Sequence, residues 1–336
     1  MSQPGLDSNF QFRWIPGTPQ NAGALARLKQ AFPRPQEPMG EAWFMSKERK
    51  YYRDLCEKNL HDLDCLEVSD ALREITSGIT CFGELEEWRV WFHYILSQMT
   101  ECAFEACAFH HWLEPLISAF MVVYPSGVKD EPYRGFLKDV FETLAVSPMQ
   151  PSLWEDGDII LEKSLLYFAP GLGVWQWNEK VADEFSALLF FCLKYLPPSS
   201  VDGWVQSIIA LPSVLYRAQF LLWLLATRDI LFGKIDSPEN FPKKNHIEID
   251  WENSHCIALR PTGNEGSVYA KETFLPAENV AAFRLALETH LTQAMVLEWL
   301  RSFESDPMLK SEMLDMGRDK DFLNMFDPTG LFALYE

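Results

Sequence analysis

No stretch of this sequence is long and uncharged enough to cross a bilayer as a helix. The greasiest segments, Pro115–Val128 and Ala218–Thr227, fall short of the roughly 20 apolar residues a span needs and read as buried helices. Met1–Phe12 has no basic region followed by an apolar run, so no secretory signal is expected. No CxxC pair occurs. The cysteines, Cys56, Cys65, Cys81, Cys102, Cys107, Cys192 and Cys256, are odd in number and mostly sit among apolar neighbours. Free cysteine there behaves as a small hydrophobe, so the pattern suits a reducing compartment and not a disulfide framework. The expected location is cytoplasmic.

Motifs that carry chemistry are missing too. There is no GxxxxGK[ST] to cradle phosphates and no GxSxG elbow. Gly171-Leu172-Gly173 has no third glycine and no clear preceding strand, so it is not a dinucleotide fingerprint. No Asp-Asp pair exists, which removes the aspartate-rich helix of a terpene-synthase type site. The stretches Trp154–Asp158 and Asp315–Asp327 lack the alternating oxygen ligands of a calcium loop. Positive charge is scarce: 29 Lys and Arg against 48 Asp and Glu leave a formal net charge of −19. Such a surface repels nucleic acid and anionic lipid, so neither is an expected partner.

What is present is a large apolar payload. Of 336 residues, 48% are hydrophobic and 14% aromatic, enough to fold and bury a sizeable core. Thr18-Pro19 reads as an N-cap and first helical position, opening a helix to about Ala31. Pro33, Pro35 and Pro38 then form a connector. From Glu41 to Tyr124 the periodicity is helical, with breaks near His61, Gly78–Gly83 and Thr100, and Trp88, Trp91, Phe92 and Ile95 fall on one buried face. Further helices are predicted from Pro132 to about Ala145, over Leu153–Phe168 with Ser152 and Glu155 as a capping box, over Lys180–Leu196, after a Ser199/Asp202 cap, and over Val214–Phe232. Alternation at His246–Trp251, Cys256–Leu259 and Val268–Phe274 predicts a small β insertion. A long helix from Pro276 would align Val280, Phe283, Leu287, Leu291 and Met295, and Asp306-Pro307 would open another.

The expected fold is therefore mainly α: antiparallel helical hairpins packed as a HEAT- or armadillo-like array or as an irregular α bundle, with a small β insertion. The segments are a lead-in with one short helix at 1–40, a helical core at 41–232, a loop and β insertion at 233–275, and C-terminal helices at 276–336. No fixed-period repeat is visible in the sequence.

Two clusters could carry function. Cys107, His111 and Glu114 would share a helix face at metal-ligand spacing, but the surrounding Ala103, Phe104, Ala106, Phe109 and Trp112 make this a packed helix, and no cofactor or metal is expected. The second cluster is acidic. Between Asp54 and Glu87 the sequence holds Asp54, Glu57, Asp62, Asp64, Glu67, Asp70, Glu74, Glu84, Glu86 and Glu87, against Lys58 and Arg73. A solvated helix face normally mixes signs, whereas a one-sided run steers a basic partner. The functional expectation is a non-catalytic protein-binding module, an inhibitor or immunity-type partner of a basic toxin or nuclease, with Asp62, Asp64, Glu67, Asp70, Glu74, Glu84, Glu86 and Glu87 as the binding residues. The alternative is an all-α hydrolase such as a glycosidase, with a carboxylate pair in a cleft lined by Trp88, Trp91, Trp175, Trp177 and Trp223. The fold expectation has a direct spectroscopic check: far-ultraviolet circular dichroism should be dominated by helix with a small strand component, and a mainly sheet spectrum would contradict it.

Overall fold

The computed structural model describes residues 6, 9–37, 55, 57–63, 65–81, 85–102, 109–160, 168–170, 175–177, 183–235, 251, 257, 274–306, 309, 320 and 324. The chain is mainly α. In order, the helices are α1 (Ala22–Ala31), α2 (Cys65–Cys81), α3 (Leu85–Cys102), α4 (Phe109–Val123), α5 (Phe136–Val140), α6 (Asp183–Tyr195), α7 (Pro198–Ile209), α8 (Val214–Leu231), α9 (Ala277–His290) and α10 (Gln293–Ser305). A π-helical turn, Phe141–Ala145, continues α5. Packing joins alternate helices above all: α2 lies on α4, α4 on α6, and α7 on α9.

Local chemistry moves several boundaries from where the sequence pattern put them. The first helix is capped by Asn21, not Thr18: Asn21 Oδ1 accepts from the amides of Gly23 and Ala24. Thr18 is diverted, because its hydroxyl donates to the Ile15 carbonyl at 2.7 Å and its amide to the same oxygen at 3.1 Å. Ile15-Pro16-Gly17-Thr18 is a turn with Pro second and Gly17 third at φ +80°, the type II requirement. Helix α5 starts after Pro132, at Phe136, because Gly135 takes a left-handed φ of +89° and the Glu131 carboxylate accepts from the amides of Gly135 (2.9 Å) and Leu137 (3.1 Å).

Where the helix expected over Leu153–Phe168 falls on described residues it gives way to a 3-10 turn ending at Leu153 and to β structure; residues 161–167 lie outside the described residues. Trp154–Glu155 (β1) pairs antiparallel with Asp158–Ile159 (β2), and Phe168–Pro170 (β3) with Trp175–Trp177 (β4). Asp156 and Gly157 both have positive φ, 51° and 85°. That is what a two-residue hairpin of the primed kind requires, and Asp-Gly is its preferred sequence. The β insertion expected at 246–274 lies almost wholly outside the described residues; Ile257 within it is helical, against the strand expected at Cys256–Leu259. The single helix expected from Pro276 is two. It breaks at Leu291, and Thr292 opens α10 by accepting from the Met295 amide. Of the helix expected from Asp306 to about Met316, only Asp306 and Leu309 are described; Asp306 Oδ1 accepts from the Leu309 amide at 3.2 Å, and the remainder lies outside the described residues.

Aromatic rings hold the helices together. Phe120 on α4 is fully buried, with the rings of Phe92, Tyr124, Phe136, Phe191 and Tyr195 at centroid distances of 5.0–6.2 Å. Edge-on and offset pairs at such distances add to simple area burial. A second focus is Trp223 on α8, against Phe190 at 5.2 Å and Phe283 at 5.9 Å. Polar groups close the joints. Arg27 of α1 clasps the buried Asp139 of α5 through Nε (2.9 Å) and Nη2 (2.6 Å), while the Tyr133 hydroxyl donates to the same carboxylate at 2.8 Å. Asn279 of α9 donates from Nδ2 to the carbonyls of Leu193 and Leu196, at 2.7 and 2.8 Å. Those carbonyls end α6 and would otherwise lack partners. Replacing Phe120 by Ala removes the ring on which α3, α4, α5 and α6 converge, so urea denaturation should show a loss of about 3–5 kcal/mol; a loss below about 1 kcal/mol would mean that the neighbouring rings collapse into the space.

Candidate partner-binding surface

Helix α2 is amphipathic by simple periodicity. Val68, Ala71, Leu72 and Ile75 are fully buried and turn toward α4. The opposite face carries Leu66, Glu67 and Asp70, all exposed, followed by the half-buried Arg73 and Glu74. Asp62, in the short 3-10 turn Leu60–Asp62 ahead of α2, is exposed as well. On α3, Trp88, Trp91, Phe92 and Ile95 are buried, as their spacing predicts, which leaves Glu86 exposed and Glu87 half-buried in the first turn. Carboxylates in a first turn also suit the positive end of the helix dipole. The structure thus places Asp62, Glu67, Asp70 and Glu86 at the surface. Asp64 and Glu84 lie outside the described residues.

The cations around this surface are more numerous than the sequence run alone indicates. Arg73 Nη1 lies 3.3 Å from Asp70 Oδ1, and Arg89 Nη1 lies 3.3 Å from Glu86 Oε2, each one helical turn apart. Arg34, distant in sequence, donates to Asn59 Oδ1 at 3.1 Å, and Asn59 Nδ2 donates to Asp62 at 3.4 Å. The same guanidinium donates to the Tyr94 hydroxyl at 2.9 Å and lies over that ring. Exposed ion pairs of this kind contribute little to stability, so the carboxylates remain available to exchange partners. Only the tertiary structure brings Arg34 to this edge; no local sequence signal points to it.

Several described residues of the other clusters are buried. Glu114 is buried on α4 and accepts from the Ser118 hydroxyl at 2.6 Å, while Ser118 Oγ accepts from Trp251 Nε1 at 2.7 Å. Its carboxylate is therefore engaged within the protein. Cys107 and the His111 side chain lie outside what is described, and among the described residues no three His, Cys, Asp or Glu side chains gather as metal ligands. Of the tryptophans proposed to line a cleft, Trp88, Trp91 and Trp223 are buried. Their indoles are committed inward: Trp91 Nε1 donates to the Glu37 carbonyl at 3.1 Å and Trp223 Nε1 to Ser186 Oγ at 3.2 Å. Trp175 and Trp177 sit in β4 opposite Pro170 and Phe168. Tryptophan at helical spacing here marks packing.

No protein-family model, curated protein or solved structure matches this chain. Among the described residues no helix is long and apolar enough to cross a membrane.

One titratable group that the sequence reading passed over stands out. His93 on α3 is buried, its ring stacked on Phe32 at 4.4 Å and its Nε2 2.5 Å from the Tyr124 hydroxyl. Burial, with a smaller contribution from the Arg89 charge, lowers its pKa from the ordinary 6.5 to about 3. The ring is therefore neutral at pH 7, and a tautomer protonated at Nδ1 lets the Tyr124 hydroxyl donate to Nε2. Burial likewise drives the Tyr124 hydroxyl pKa up, so that group stays protonated.

The sign of the pH effect follows. Below the ordinary value of 6.5, the unfolded chain takes up a proton at His93 that the folded chain refuses until about pH 3. Stability from this group is thus present above pH 6.5 and is lost as pH falls, by up to about 1.4 kcal/mol per pH unit. Urea midpoints at pH 7 and pH 4.5 should show a loss larger by about 2–3 kcal/mol in the parent chain than in His93→Phe. Equal losses would mean that the histidine is charged in the folded protein.

Proposed function

We propose that this chain is a non-catalytic protein-binding module whose acidic α2 and α3 surface receives a basic protein partner. The observation that carries the reading is the outer face of α2, where carboxylates recur turn after turn beside an exposed Leu66 while the inner face is committed to the core. An apolar residue among like charges gives a partner both a steering field and a contact to bury. The whole-chain charge of −19 extends that field and disfavours nucleic acid as the ligand. An inhibitor or immunity-type partner of a basic toxin or nuclease, acting in a reducing compartment such as the cytoplasm, fits this chemistry. The burial of Trp88, Trp91 and Trp223 leaves the glycosidase alternative without an observation in its favour.

Steering by exposed charge acts over a screening length of roughly 8 Å at physiological ionic strength. Association with the partner should therefore slow as salt rises, while dissociation changes less. The triple variant Glu67→Lys, Asp70→Lys and Glu86→Lys should keep the parental melting temperature within a few degrees and slow capture on the order of tenfold. The measurement is a pull-down from the native host, with parent and variant compared across a salt series and association followed by surface-bound kinetics. If the variant recovers the same proteins at the same rate and with the same salt dependence, the acidic face is only a solvated surface.

A further inference from the structure

The N-terminal segment ahead of α1 has the exposure pattern of a strand, though among the described residues no strand pairs with it. Phe12 and Trp14 are buried and Phe10 half-buried, while Gln11, Arg13 and Ile15 are exposed. That is the period of two of an extended chain lying on one surface. Its backbone is held by side chains of α7. The Ser200 hydroxyl donates to the Phe10 carbonyl, and the Trp14 amide donates to Ser207 Oγ at 2.8 Å. Ser200, Gly203 and Ser207 fall three and four positions apart on α7 and so share a face. Gly203 lies under the side chains of the segment: a Cβ there would be in ordinary contact with Arg13 Nε at 3.6 Å and Gln11 Oε1 at 3.7 Å.

The aromatic side chains fill defined places. Phe12 meets the edge of Phe141 at 5.0 Å. Trp14 stands perpendicular to Trp204 at 6.1 Å, with Phe185 at 6.3 Å, and its Nε1 donates to the Ala145 carbonyl at 3.0 Å. Ala145 ends the π-helical turn, so that carbonyl belongs to the set a helix end leaves without partners of its own. The receiving surface thus offers two hydroxyls for an extended backbone, aromatic walls and a carbonyl aimed at an indole N–H.

We propose that this face of α7 and the adjoining π-helical turn form a recognition site for an extended aromatic-x-aromatic-x-tryptophan segment, and that residues 10–14 occupy it as a releasable strap. The receiving elements have partners of their own. Helix α7 packs on α9, and α6, which carries Phe185, packs on α4. The strap is joined to α1 through the Ile15–Thr18 turn, where Gly17 is exposed and a Cβ on it would meet nothing within 4 Å. Release requires the segment to swing about that turn, which Thr18 closes onto the Ile15 carbonyl, while Asn21 keeps α1 in place through its amide, which donates to the Glu142 carbonyl at 3.0 Å.

The test keeps the whole chain. A protease recognition sequence placed in the Pro16-Gly17 turn is cut after folding, so that strap and body are both present and no longer covalently joined. Excess fluorescein-labelled peptide of residues 6–16 is then added. We expect the label to enter the complex and co-elute with the body, the helical circular dichroism and cooperative melting to persist, and a Trp14→Ala peptide to compete on the order of tenfold less well. Ser207→Val in the body should speed release of the strap. Failure of the labelled peptide to exchange over days, or loss of cooperative melting as the strap leaves, would show residues 10–14 to be an ordinary part of the core and overturn the proposal.

Discussion

The packing of rings around Phe120 is the constraint on which the other features depend. Phe92 comes from α3, Phe136 from α5, and Phe191 and Tyr195 from α6, so one side chain on α4 fixes the relative placement of these helices. Rings are stiff, and a pair of them tolerates only certain offsets. The contact passes outward without interruption. Phe191 touches Phe141 at 5.3 Å, and Phe141 receives Phe12 of the N-terminal segment. A second line runs from Trp223 through Phe283 to Trp204 and so to Trp14. The extended segment ahead of α1 thereby meets both lines of rings.

A core so rich in aromatic side chains leaves few acceptors for polar groups, and several of those that enter are matched individually. Tyr195 donates its hydroxyl to the Tyr124 carbonyl at 2.8 Å, where α4 has ended and its last carbonyls need partners. Lys194 turns its ammonium to the Phe274 carbonyl and over the Phe274 ring. Trp251 reaches across to Ser118, and Ser118 to Glu114. All but the Ser118–Glu114 bond, which spans one helical turn, join distant parts of the chain, and each would leave a buried polar group uncompensated if one partner were removed, which costs more than the bond itself contributes. These bonds give the apolar packing a single register.

The acidic surface is the mirror case. The face of α2 that points away from the core is free to vary in charge, because exposed carboxylates contribute little to folding. Its exposure was legible from the sequence: Val68, Ala71, Leu72 and Ile75 recur at helical spacing and leave Glu67 and Asp70 outside. Its balance of charge was not. Arg34 arrives beside Asn59 and Asp62 from another part of the chain, and Arg89 bonds back to Glu86 just beyond the acidic run. Counting charges along a segment misses cations that only folding brings to it.

By itself the sequence determined that this chain is mainly helical and which faces are buried, because a helix face is set by residues three and four positions apart. Trp88, Trp91, Phe92 and Ile95 required nothing else. It also contained the β1–β2 hairpin, since Asp156-Gly157 is the sequence a primed turn favours, but a local capping pattern at Ser152 and Glu155 competed with it, and pairing across the turn won. Tertiary structure alone decided the rest. Whether Thr18 or Asn21 caps α1 depends on the turn that draws Thr18 back to Ile15. Whether Phe10–Trp14 is a loose lead-in or a docked strand depends on Ser200 and Ser207, which lie almost 200 residues further on. Periodicity reads only the neighbours a residue has along the chain, and these contacts are made by neighbours that the chain must fold to acquire.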